Sequence, residues 1–281
     1  MSTPSERILR ILHLSDTHLY GDGTLHYGLV DTRAALARTL ERAGELDAVD
    51  VVVASGDLSD DGSPESYHIL SGMLEPWAAE RGAAVVYAMG NHDLLAGFEE
   101  VLGQRTRTLD IKGFRIATVD SAVPGAGYGN LDEAQLDALR VALETPSMNG
   151  TIVVVHHPPV PARTTLLQSL ELQNPAALLD VCATGDVRLI LAGHYHHSLA
   201  TEAEGIPLVV APAVANTADV LAGPRTERAA VGSGFAYVEL VGDDAPRAMF
   251  IAAPGPDDGS PVYELDRAAI DRIAASYGPG R

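Results

Sequence analysis

Five short apolar runs in this chain each lead directly into a cluster of aspartate, asparagine or histidine residues. The runs have the length of a buried strand and span residues 8–14, 51–54, 83–89, 152–155 and 189–192. The clusters that follow them are Ser15-Asp16-Thr17-His18, Gly56-Asp57-Leu58-Ser59-Asp60, Gly90-Asn91-His92-Asp93, His156-His157-Pro158-Pro159 and Gly193-His194-Tyr195-His196-His197. Open α/β sheets carry their sites at the carboxyl ends of the strands. The pattern therefore predicts an α/β fold in which five strand ends build one polar site.

Residues that favour helix starts lie between the first three of these runs. Asp31 or Thr32 caps a predicted helix ending near residue 46, and Ser63 with Pro64 opens a helix that ends near residue 80. Asn130 caps a third helix over residues 131–143. The alternation of strand and helix predicts parallel strands joined by right-handed crossovers.

From residue 205 onward the pattern changes to short strands with Gly-rich turns. Strands predicted over residues 208–211, 234–240 and 247–251 form a second sheet that packs on the first. The expected fold is α/β, a four-layer αββα sandwich of two mixed β-sheets flanked by helices.

The last part of the chain differs again. Residues 255–262 resemble a linker, and residues 264–277 predict a short amphipathic helix that docks on the body or on a partner. Its apolar face comprises Leu265, Ala269, Ile273 and Tyr277. The chain is accordingly divided into a main domain, residues 1–254, and a C-terminal extension, residues 255–281.

Composition favours a globular protein and is compatible with a small anionic ligand. Of the 281 residues, 46% are apolar, and no apolar stretch approaches the roughly 18 residues that span a bilayer. The first ten residues lack a signal-peptide pattern and a single cysteine, Cys182, cannot form an internal disulfide, so we expect a cytoplasmic protein. The net charge of −19 argues against nucleic-acid binding, although bound divalent cations would reverse the sign locally.

The residue types in the five clusters favour a metal centre with nitrogen and oxygen ligands. In an extended segment residues i and i+2 point to one side, so Asp16-x-His18 and His194-x-His196 can each present two ligands. The candidate ligands are Asp16, His18, Asp57, Asn91, His156, His194 and His196. With the Asp57 carboxylate shared, each of two ions receives four protein contacts. Two such ions clamp the attacking and leaving oxygens of a phosphoryl displacement.

The alternative for each short motif is structural. A single Asp-x-His or His-x-His pair is more often an accident of a surface or a helix cap than a metal site. Five independent accidents would each have to fall at a strand end, so the occurrence of all five motifs there favours the metal centre. His13, His26 and His68 lie outside the clusters, and we assign them to packing or to solvent.

Taken together, the motifs resemble the complete set of the calcineurin-like metallophosphoesterases and are most similar to those of the bacterial class III cyclic-nucleotide phosphodiesterases. The similarity extends from about residue 8 to residue 240. It implies a catalytic domain over residues 1–254, a homodimer, and two divalent or trivalent metal ions, iron or manganese first, with zinc, cobalt or nickel as alternatives. It also implies the ligand sets, namely Asp16, His18 and His196 for the first ion, and Asn91, His156 and His194 for the second, with Asp57 bridging.

The resemblance further implies two catalytic residues. A hydroxide that bridges the metals attacks phosphorus in line. His92 faces the phosphate, because its neighbour Asn91 is the residue that reaches the metals, and as imidazolium it stabilises the transition state or protonates the departing alkoxide. Asp60 orients His92.

Two departures from related protein phosphatases favour a diester substrate. Those enzymes carry arginines that grip a phosphomonoester dianion where this chain has Met89 and Asp61. We therefore expect hydrolysis of small phosphodiesters, with 3′,5′-cyclic nucleotides such as cAMP as the leading candidates. The alternatives are 2′,3′-cyclic nucleotides, glycerophosphodiesters or other diesters, and a metal-binding regulatory module without catalysis.

Five side chains are candidates for contact with the substrate. Asn91 and His92 are two of them. His157 and His197 lie beside ligands and either face the substrate or pack. Tyr20 lies in a Gly-rich loop and either stacks on a base or anchors the loop.

Overall fold

Two mixed β-sheets packed face to face form the centre of the molecule in a computed structural model that describes residues 8–280. The strands are β1 (Ile8–Leu14), β2 (Val51–Ser55), β3 (Ala84–Ala88), β4 (Thr108–Ile111), β5 (Phe114–Thr118), β6 (Thr151–Val154), β7 (Val187–Ala192), β8 (Leu199–Ala203), β9 (Ile206–Val210), β10 (Thr217–Ala218), β11 (Thr226–Ala230), β12 (Gly234–Val241), β13 (Arg247–Ala252) and β14 (Pro261–Asp266). The helices are α1 (Thr32–Ala43), α2 (Pro64–Ala79), α3 (Leu95–Leu102), α4 (Glu133–Leu143), α5 (Thr165–Gln168), α6 (Pro175–Cys182) and α7 (Arg267–Tyr277). Residues 1–7, part of the segment without a signal-peptide pattern, lie outside the described residues.

The strand order brings the predicted strand ends together. The first sheet has the order β13-β12-β1-β2-β3, and the second has the order β4-β5-β6-β7-β9-β8. β1, β2 and β3 are parallel, as are β5, β6, β7 and β9, whereas the outer strands are antiparallel. Both sheets are therefore mixed. All five polar clusters follow the carboxyl ends of parallel strands.

Apolar packing fixes the layers. Buried residues of both sheets, among them Ile11, Val53, Ile152 and Leu191, form one cluster between the sheets. A second cluster joins the outer face of the first sheet to α1, α2 and α3, and a third joins the outer face of the second sheet to α4 and α6. The four-layer αββα sandwich predicted from the sequence is confirmed.

Capping residues set the helix starts. The Asp31 side chain accepts a hydrogen bond from the Ala34 backbone N at 2.9 Å, so α1 begins at Thr32. Helix α4 begins later than predicted. Its cap is Asp132, whose carboxylate accepts from the Gln135 backbone N at 2.8 Å, and not Asn130.

The predicted composition of the second sheet is wrong. Strands β12 and β13 extend the first sheet, because β12 pairs antiparallel with β1 and places Val238 opposite Ile11. Only β9, of the three strands predicted for the second sheet, lies in it. Elements that the pattern did not reveal include α3, β4, β8, β10 and β11. β8 illustrates the reason, since its middle residues are exposed and carry no apolar run.

A third, small sheet connects the C-terminal segment to the body. Its order is β10-β11-β14, and β14 begins at Pro261, inside the predicted linker. Helix α7 begins at Arg267, not at residue 264, because Asp266 accepts from the Ala269 backbone N at 2.8 Å. α7 packs on α5, β11 and β14, so it docks on the body. The division after residue 254 stays a prediction.

None of the helices in the described part of the chain has the length and apolar character that crossing a bilayer requires.

Candidate active site

The loops that carry the predicted ligands have an unusual backbone. Five of the seven predicted ligands have positive φ angles: Asp16 (53°), His18 (44°), Asp57 (49°), His194 (68°) and His196 (52°). Residues other than glycine rarely adopt this left-handed conformation, and those that do cluster at functional sites. These segments are therefore not extended, and the prediction that an extended backbone presents residues i and i+2 to one point is wrong. Tight left-handed turns bring these side chains together instead.

The first ligand cluster joins the loop after β1 to the loop after β7. Ligand atoms of Asp16, His18 and His196 lie within 4.8 Å of one another. The Nε2 atoms of the two imidazoles are 3.2 Å apart, and His196 Nε2 lies 3.4 Å from Asp16 Oδ1. Asp16 and His18 are buried, so bulk water does not screen these atoms.

The second cluster comprises Asp57, His156 and His194, whose ligand atoms likewise lie within 4.8 Å of one another. Asp57 also reaches the first cluster. Its Oδ2 is 3.2 Å from His156 Nε2 and 3.8 Å from His18 Nε2. The Asp57 carboxylate therefore lies between the two groups of imidazoles.

Hydrogen bonds on the outer ring nitrogens fix the orientation of the four imidazoles. His18 Nδ1 donates to Asp60 at 2.9 Å, His196 Nδ1 to the Asn216 carbonyl at 3.1 Å, and His156 Nδ1 to the Ser55 carbonyl at 2.9 Å. His194 donates through Nε2 to the Leu170 carbonyl at 3.0 Å. Because every acceptor is an oxygen without a proton, the inward nitrogen of each neutral ring carries a lone pair. Metal-ligating histidines use their second nitrogen in the same way.

Unpartnered polar atoms also fit a metal centre. Asn91 Oδ1 is buried and forms no hydrogen bond with any described residue, and His156 Nε2, which likewise lacks a well-aligned hydrogen bond, faces the Asp57 carboxylate at 3.2 Å. The lone pairs of His18 and His196 face each other at 3.2 Å, an arrangement that a cation between them would stabilise. Such orphaned acceptors are costly unless a ligand satisfies them. The donor set, imidazoles with carboxylates and one amide, suits divalent transition metals.

The electrostatics of the site attract positive charge. Burial lowers the pKa of His156, but the carboxylates of Asp57 and Asp16 outweigh burial and raise the pKa to about 9. Burial raises the pKa of the Asp57 carboxyl, but the imidazoles of His156 and His92 outweigh it, so the pKa of Asp57 lies well below its ordinary range. The buried Asp57 carboxylate therefore stays ionised at neutral pH because positive charge lies beside it.

Two glycines permit the close approach of the loops. Gly56 has φ +103°, and a Cβ there would lie 2.4 Å from His156 Nδ1. A Cβ at Gly90 would lie 2.3 Å from the Asp57 backbone N. Any larger residue would push these two loops apart.

Asp93 ties two of the loops together, a role that sequence reasoning missed. Its buried carboxylate accepts from the backbone N of Gly90 at 2.8 Å, from Ser59 N at 3.0 Å and from Leu58 N at 3.2 Å. The Tyr67 hydroxyl adds a fourth bond at 3.1 Å. Asp93 therefore holds the turn that carries Asn91 against the turn that carries Asp57. The position of Asp93 in the Gly90-Asn91-His92-Asp93 motif was the one sequence feature that pointed to this role.

Asp60 connects His92 to the first cluster. Its Oδ1 lies 2.9 Å from His18 Nδ1, 3.2 Å from His92 Nδ1 and 3.6 Å from His26 Nδ1. Burial lowers the pKa of His92, but the carboxylates of Asp57 and Asp60 outweigh burial and raise the pKa to about 9. The His92 side chain is 44% exposed, so it combines a charged ring with access to a ligand.

Three predicted substrate contacts lie away from the cavity next to these clusters. His157 is buried, with Nδ1 2.8 Å from Ser121 Oγ and Nε2 donating to the Gly127 carbonyl at 3.2 Å. His197 packs beside Tyr195 at 5.9 Å between ring centroids. The Tyr20 hydroxyl donates to Asp60. Within the described residues these three side chains therefore serve packing or support, whereas Asn91 and His92 line the cavity.

The two positions used to argue for a diester do not line the cavity either. Met89 is buried, and Asp61 accepts hydrogen bonds from the backbone N of Gly21 at 2.8 Å and of Ser63 at 2.9 Å. Asp61 therefore anchors its own loop and does not repel a ligand directly. The chain nevertheless has no arginine at positions 89 and 61 that could bind a phosphomonoester dianion.

The cavity has a volume of about 480 Å³ and two ends of different chemistry. The polar end carries His18, Asp57, Asn91, His92, His194 and His196. The apolar end carries Tyr27, Leu166, Glu227, Tyr263, Leu265 and Ile273. Sequence reasoning missed the apolar end. The predicted apolar stripe of the C-terminal segment was one signal of it, since Leu265, Ile273 and Tyr277 of that stripe line the cavity.

An αββα sandwich with histidine and aspartate clusters at its strand ends is the architecture of the metallophosphoesterases. The family model of the calcineurin-like phosphoesterases matches residues 9–198. The chain belongs to this family of phosphoester hydrolases, as its motifs predicted.

Within this family, the chain is similar to curated cyclic nucleotide phosphodiesterases. A probable cyclic nucleotide phosphodiesterase from Rhodococcus erythropolis is 37% identical over 285 residues, which cover 96% of this chain and 94% of that protein. A cAMP/cGMP dual specificity phosphodiesterase from Mycobacterium tuberculosis is 39% identical over 239 residues, which cover 81% and 75% of the two chains. Among solved structures, a purple acid phosphatase from yellow lupin aligns with a TM-score of 0.59 at 13% identity, covering 98% of this chain and 57% of that one. That structure shares the fold.

Proposed function

We propose that the protein is a dinuclear metal-dependent phosphodiesterase that hydrolyses small phosphodiesters, 3′,5′-cyclic nucleotides such as cAMP foremost. The observation that carries the proposal is the pair of ligand clusters joined by Asp57, with His92 held beside them by Asp60. The names of the relatives from Rhodococcus erythropolis and Mycobacterium tuberculosis support the choice of substrate.

The residues fit two cations, with iron or manganese as our first choice. Asp16, His18 and His196 would hold one, and Asn91, His156 and His194 would hold the other, with Asp57 shared. When bound, the pair would supply a water-derived nucleophile near neutral pH and neutralise charge on the phosphoryl oxygens.

His92 supplies the proton of the reaction. Asp60 accepts the Nδ1 proton at 3.2 Å, which leaves Nε2 free for the substrate. The carboxylates of Asp57 and Asp60 outweigh burial and raise the pKa of His92 to about 9, and Asp60 would keep this influence beside bound cations, which favours the imidazolium. It hydrogen-bonds the phosphoryl group in the transition state and donates its Nε2 proton to the departing alkoxide oxygen.

The charge of the cavity favours a diester over a monoester. No lysine or arginine of the described chain lines the cavity, so its own cations are imidazoles. A phosphomonoester dianion needs more positive charge than a diester monoanion, and forked arginine contacts are the usual supply. This cavity lacks them.

The test compares bis(4-nitrophenyl) phosphate with 4-nitrophenyl phosphate as substrates of the Mn²⁺-reconstituted protein. We expect kcat/KM to be about tenfold or more higher for the diester. A preference for the monoester would contradict the charge argument.

Cyclic nucleotides are then assayed directly. Turnover of cAMP that depends on added Mn²⁺ and releases a nucleoside monophosphate is the expected result. If the protein does not hydrolyse cAMP but does hydrolyse 2′,3′-cyclic nucleotides or glycerophosphodiesters, the substrate is another diester. No turnover with two metals bound would contradict catalysis and favour a regulatory module.

A further inference from the structure

Glu227 is a buried carboxyl in the cavity that the proposed reaction does not use. It lies on β11, is 1% exposed and belongs to the apolar end of the cavity. Carboxylates are almost never fully buried without a partner. Glu227 therefore calls for an explanation.

The small sheet aims Glu227 at the cavity. Glu227 lies opposite Leu265 of β14, and Ala229, two residues along β11, lies opposite Tyr263. Directly opposed residues and residues i and i+2 share a face of a sheet. Glu227, Leu265 and Tyr263 therefore share a face, and all three line the cavity.

The contacts of Glu227 leave acceptor capacity. Its Oε2 accepts one long hydrogen bond, 3.4 Å, from the Leu166 backbone N, and the Thr164 hydroxyl also interacts with the carboxyl. The adjacent cation, Arg228, pairs instead with Asp219 at 2.7 Å. A carboxylate can accept about four hydrogen bonds, so acceptor capacity remains for a ligand.

The surroundings of Glu227 suit a flat, largely apolar group. The rings of Tyr27 and Tyr263 lie 5.1 Å apart, and Leu166, Leu265 and Ile273 complete the wall. Aromatic rings provide stacking surfaces for nucleobases. A volume of about 480 Å³ falls in the range of small-molecule sites.

Resting on the function proposed above, we propose that the apolar end of the cavity binds the base of the substrate, and that Glu227 accepts a hydrogen bond from an amino group of that base. The phosphodiester then lies at the polar end, beside His92. Burial raises the pKa of Glu227, and an N–H donor from the ligand would stabilise its ionised form. Glu227 thus selects among bases and takes no part in phosphoryl transfer.

Turnover of cAMP and of purine riboside 3′,5′-cyclic monophosphate, which lacks the 6-amino group, tests this inference. We expect the wild type to favour cAMP by about 10- to 100-fold in kcat/KM, the value of one hydrogen bond to a charged group. Glu227→Leu should abolish the preference by slowing cAMP alone. Its turnover of bis(4-nitrophenyl) phosphate, which has no N–H donor, should fall much less than its turnover of cAMP. Glu227→Gln keeps an acceptor oxygen and should retain part of the preference.

Glu264→Leu is the matched control, because Glu264 is an exposed carboxyl on β14 that lies opposite Arg228, the residue next to Glu227 on β11. It should leave the preference unchanged. A preference that survives Glu227→Leu would overturn the inference, as would an equal loss with the chromogenic diester.

Failure of the proposed substrate class gives a different result. If the wild type cleaves the chromogenic diester but no cyclic nucleotide, 5′-AMP and purine riboside 5′-monophosphate are compared as inhibitors of that reaction. Tighter inhibition by 5′-AMP that Glu227→Leu abolishes would support the base site without the cyclic substrate. Equal inhibition by the two nucleotides would overturn it.

Discussion

The two ends of the cavity differ in how the chain builds them. The polar end comes from loops that directly follow parallel strands, and five of its predicted ligands have left-handed backbones. The apolar end comes mainly from a small sheet and the helices α5 and α7, with ordinary strand and helix geometry, and Tyr27 adds one residue with a positive φ of 52° from the loop after β1. The difference suggests a division of work, in which strained loops position the chemistry and a separately held surface selects the substrate.

The largest effect should follow a change at the shared ligand of the polar end. Asp57→Asn removes the charge that reaches both clusters, so we expect a loss of about a thousandfold or more in diester turnover. Metal analysis should show fewer than two ions per chain. Asp61→Asn is the control, because Asp61 lies nearby without lining the cavity, and it should keep activity within a few-fold. Full activity in Asp57→Asn would contradict the assignment of Asp57 as a ligand shared by two metal ions.

A change at Asp93 tests whether metal binding depends on the hydrogen bonds that link the turn carrying Asn91 to the turn carrying Asp57. Asp93→Ala leaves the backbone N–H groups of Leu58, Ser59 and Gly90 without their acceptor, at a cost of about 1–3 kcal/mol for a buried unsatisfied donor. We expect metal affinity to fall about hundredfold, as measured by titration with Mn²⁺. Tyr67→Phe removes one bond of the same network and should cost about 1 kcal/mol in unfolding free energy. Unchanged Mn²⁺ affinity in Asp93→Ala would contradict this role.

The pH profile tests the link between Asp60 and His92. His92 donates a proton only as imidazolium, so activity should fall as pH rises through its pKa, which the Asp57 and Asp60 carboxylates raise to about 9 against the effect of burial. Bound cations would offset the charge of Asp57, which leaves Asp60 as the raising influence. Asp60→Asn should therefore move the alkaline fall of kcat/KM to lower pH and reduce its maximum about tenfold. A profile with an unmoved alkaline limb would count against His92 as the acid.

The smallest effect should appear at the apolar end. Asp266→Ala removes the cap of α7 and should destabilise that helix by about 1 kcal/mol. Hydrogen exchange in α7 should accelerate about fivefold while exchange in β1, β2 and β3 stays unchanged. Asp271→Ala, which removes only the exposed pair with Arg267, is the weaker control. Equal acceleration in both regions would contradict their separate support.

Which side chains lie together at the polar end could be predicted from the sequence, because that information is local. Each predicted ligand follows a strand in the chain, and parallel strands bring their carboxyl ends together. The backbone that presents the ligands was not predictable, since nothing in Asp16-Thr17-His18 signals φ angles of 53° and 44°. Tertiary contacts, such as the 3.0 Å bond from the Asp16 backbone N to the Gly56 carbonyl, impose that conformation.

The apolar end depends on pairings between distant residues. Glu227 faces the cavity because β11 pairs with β14, and neither strand carries a strong apolar run. The same lack of local signal explains the misassigned linker before Pro261. The apolar positions Leu265, Ile273 and Tyr277 were recognised, but only their three-dimensional neighbours reveal that they line a cavity.

Anomalous diffraction from crystals of the Mn²⁺-loaded protein tests the central claim most directly. The account predicts two peaks about 3.5–4 Å apart. One should lie among Asp16, His18 and His196, the other among Asn91, His156 and His194, with the Asp57 carboxylate between them. A single peak, or peaks away from these two clusters, would contradict a dinuclear centre.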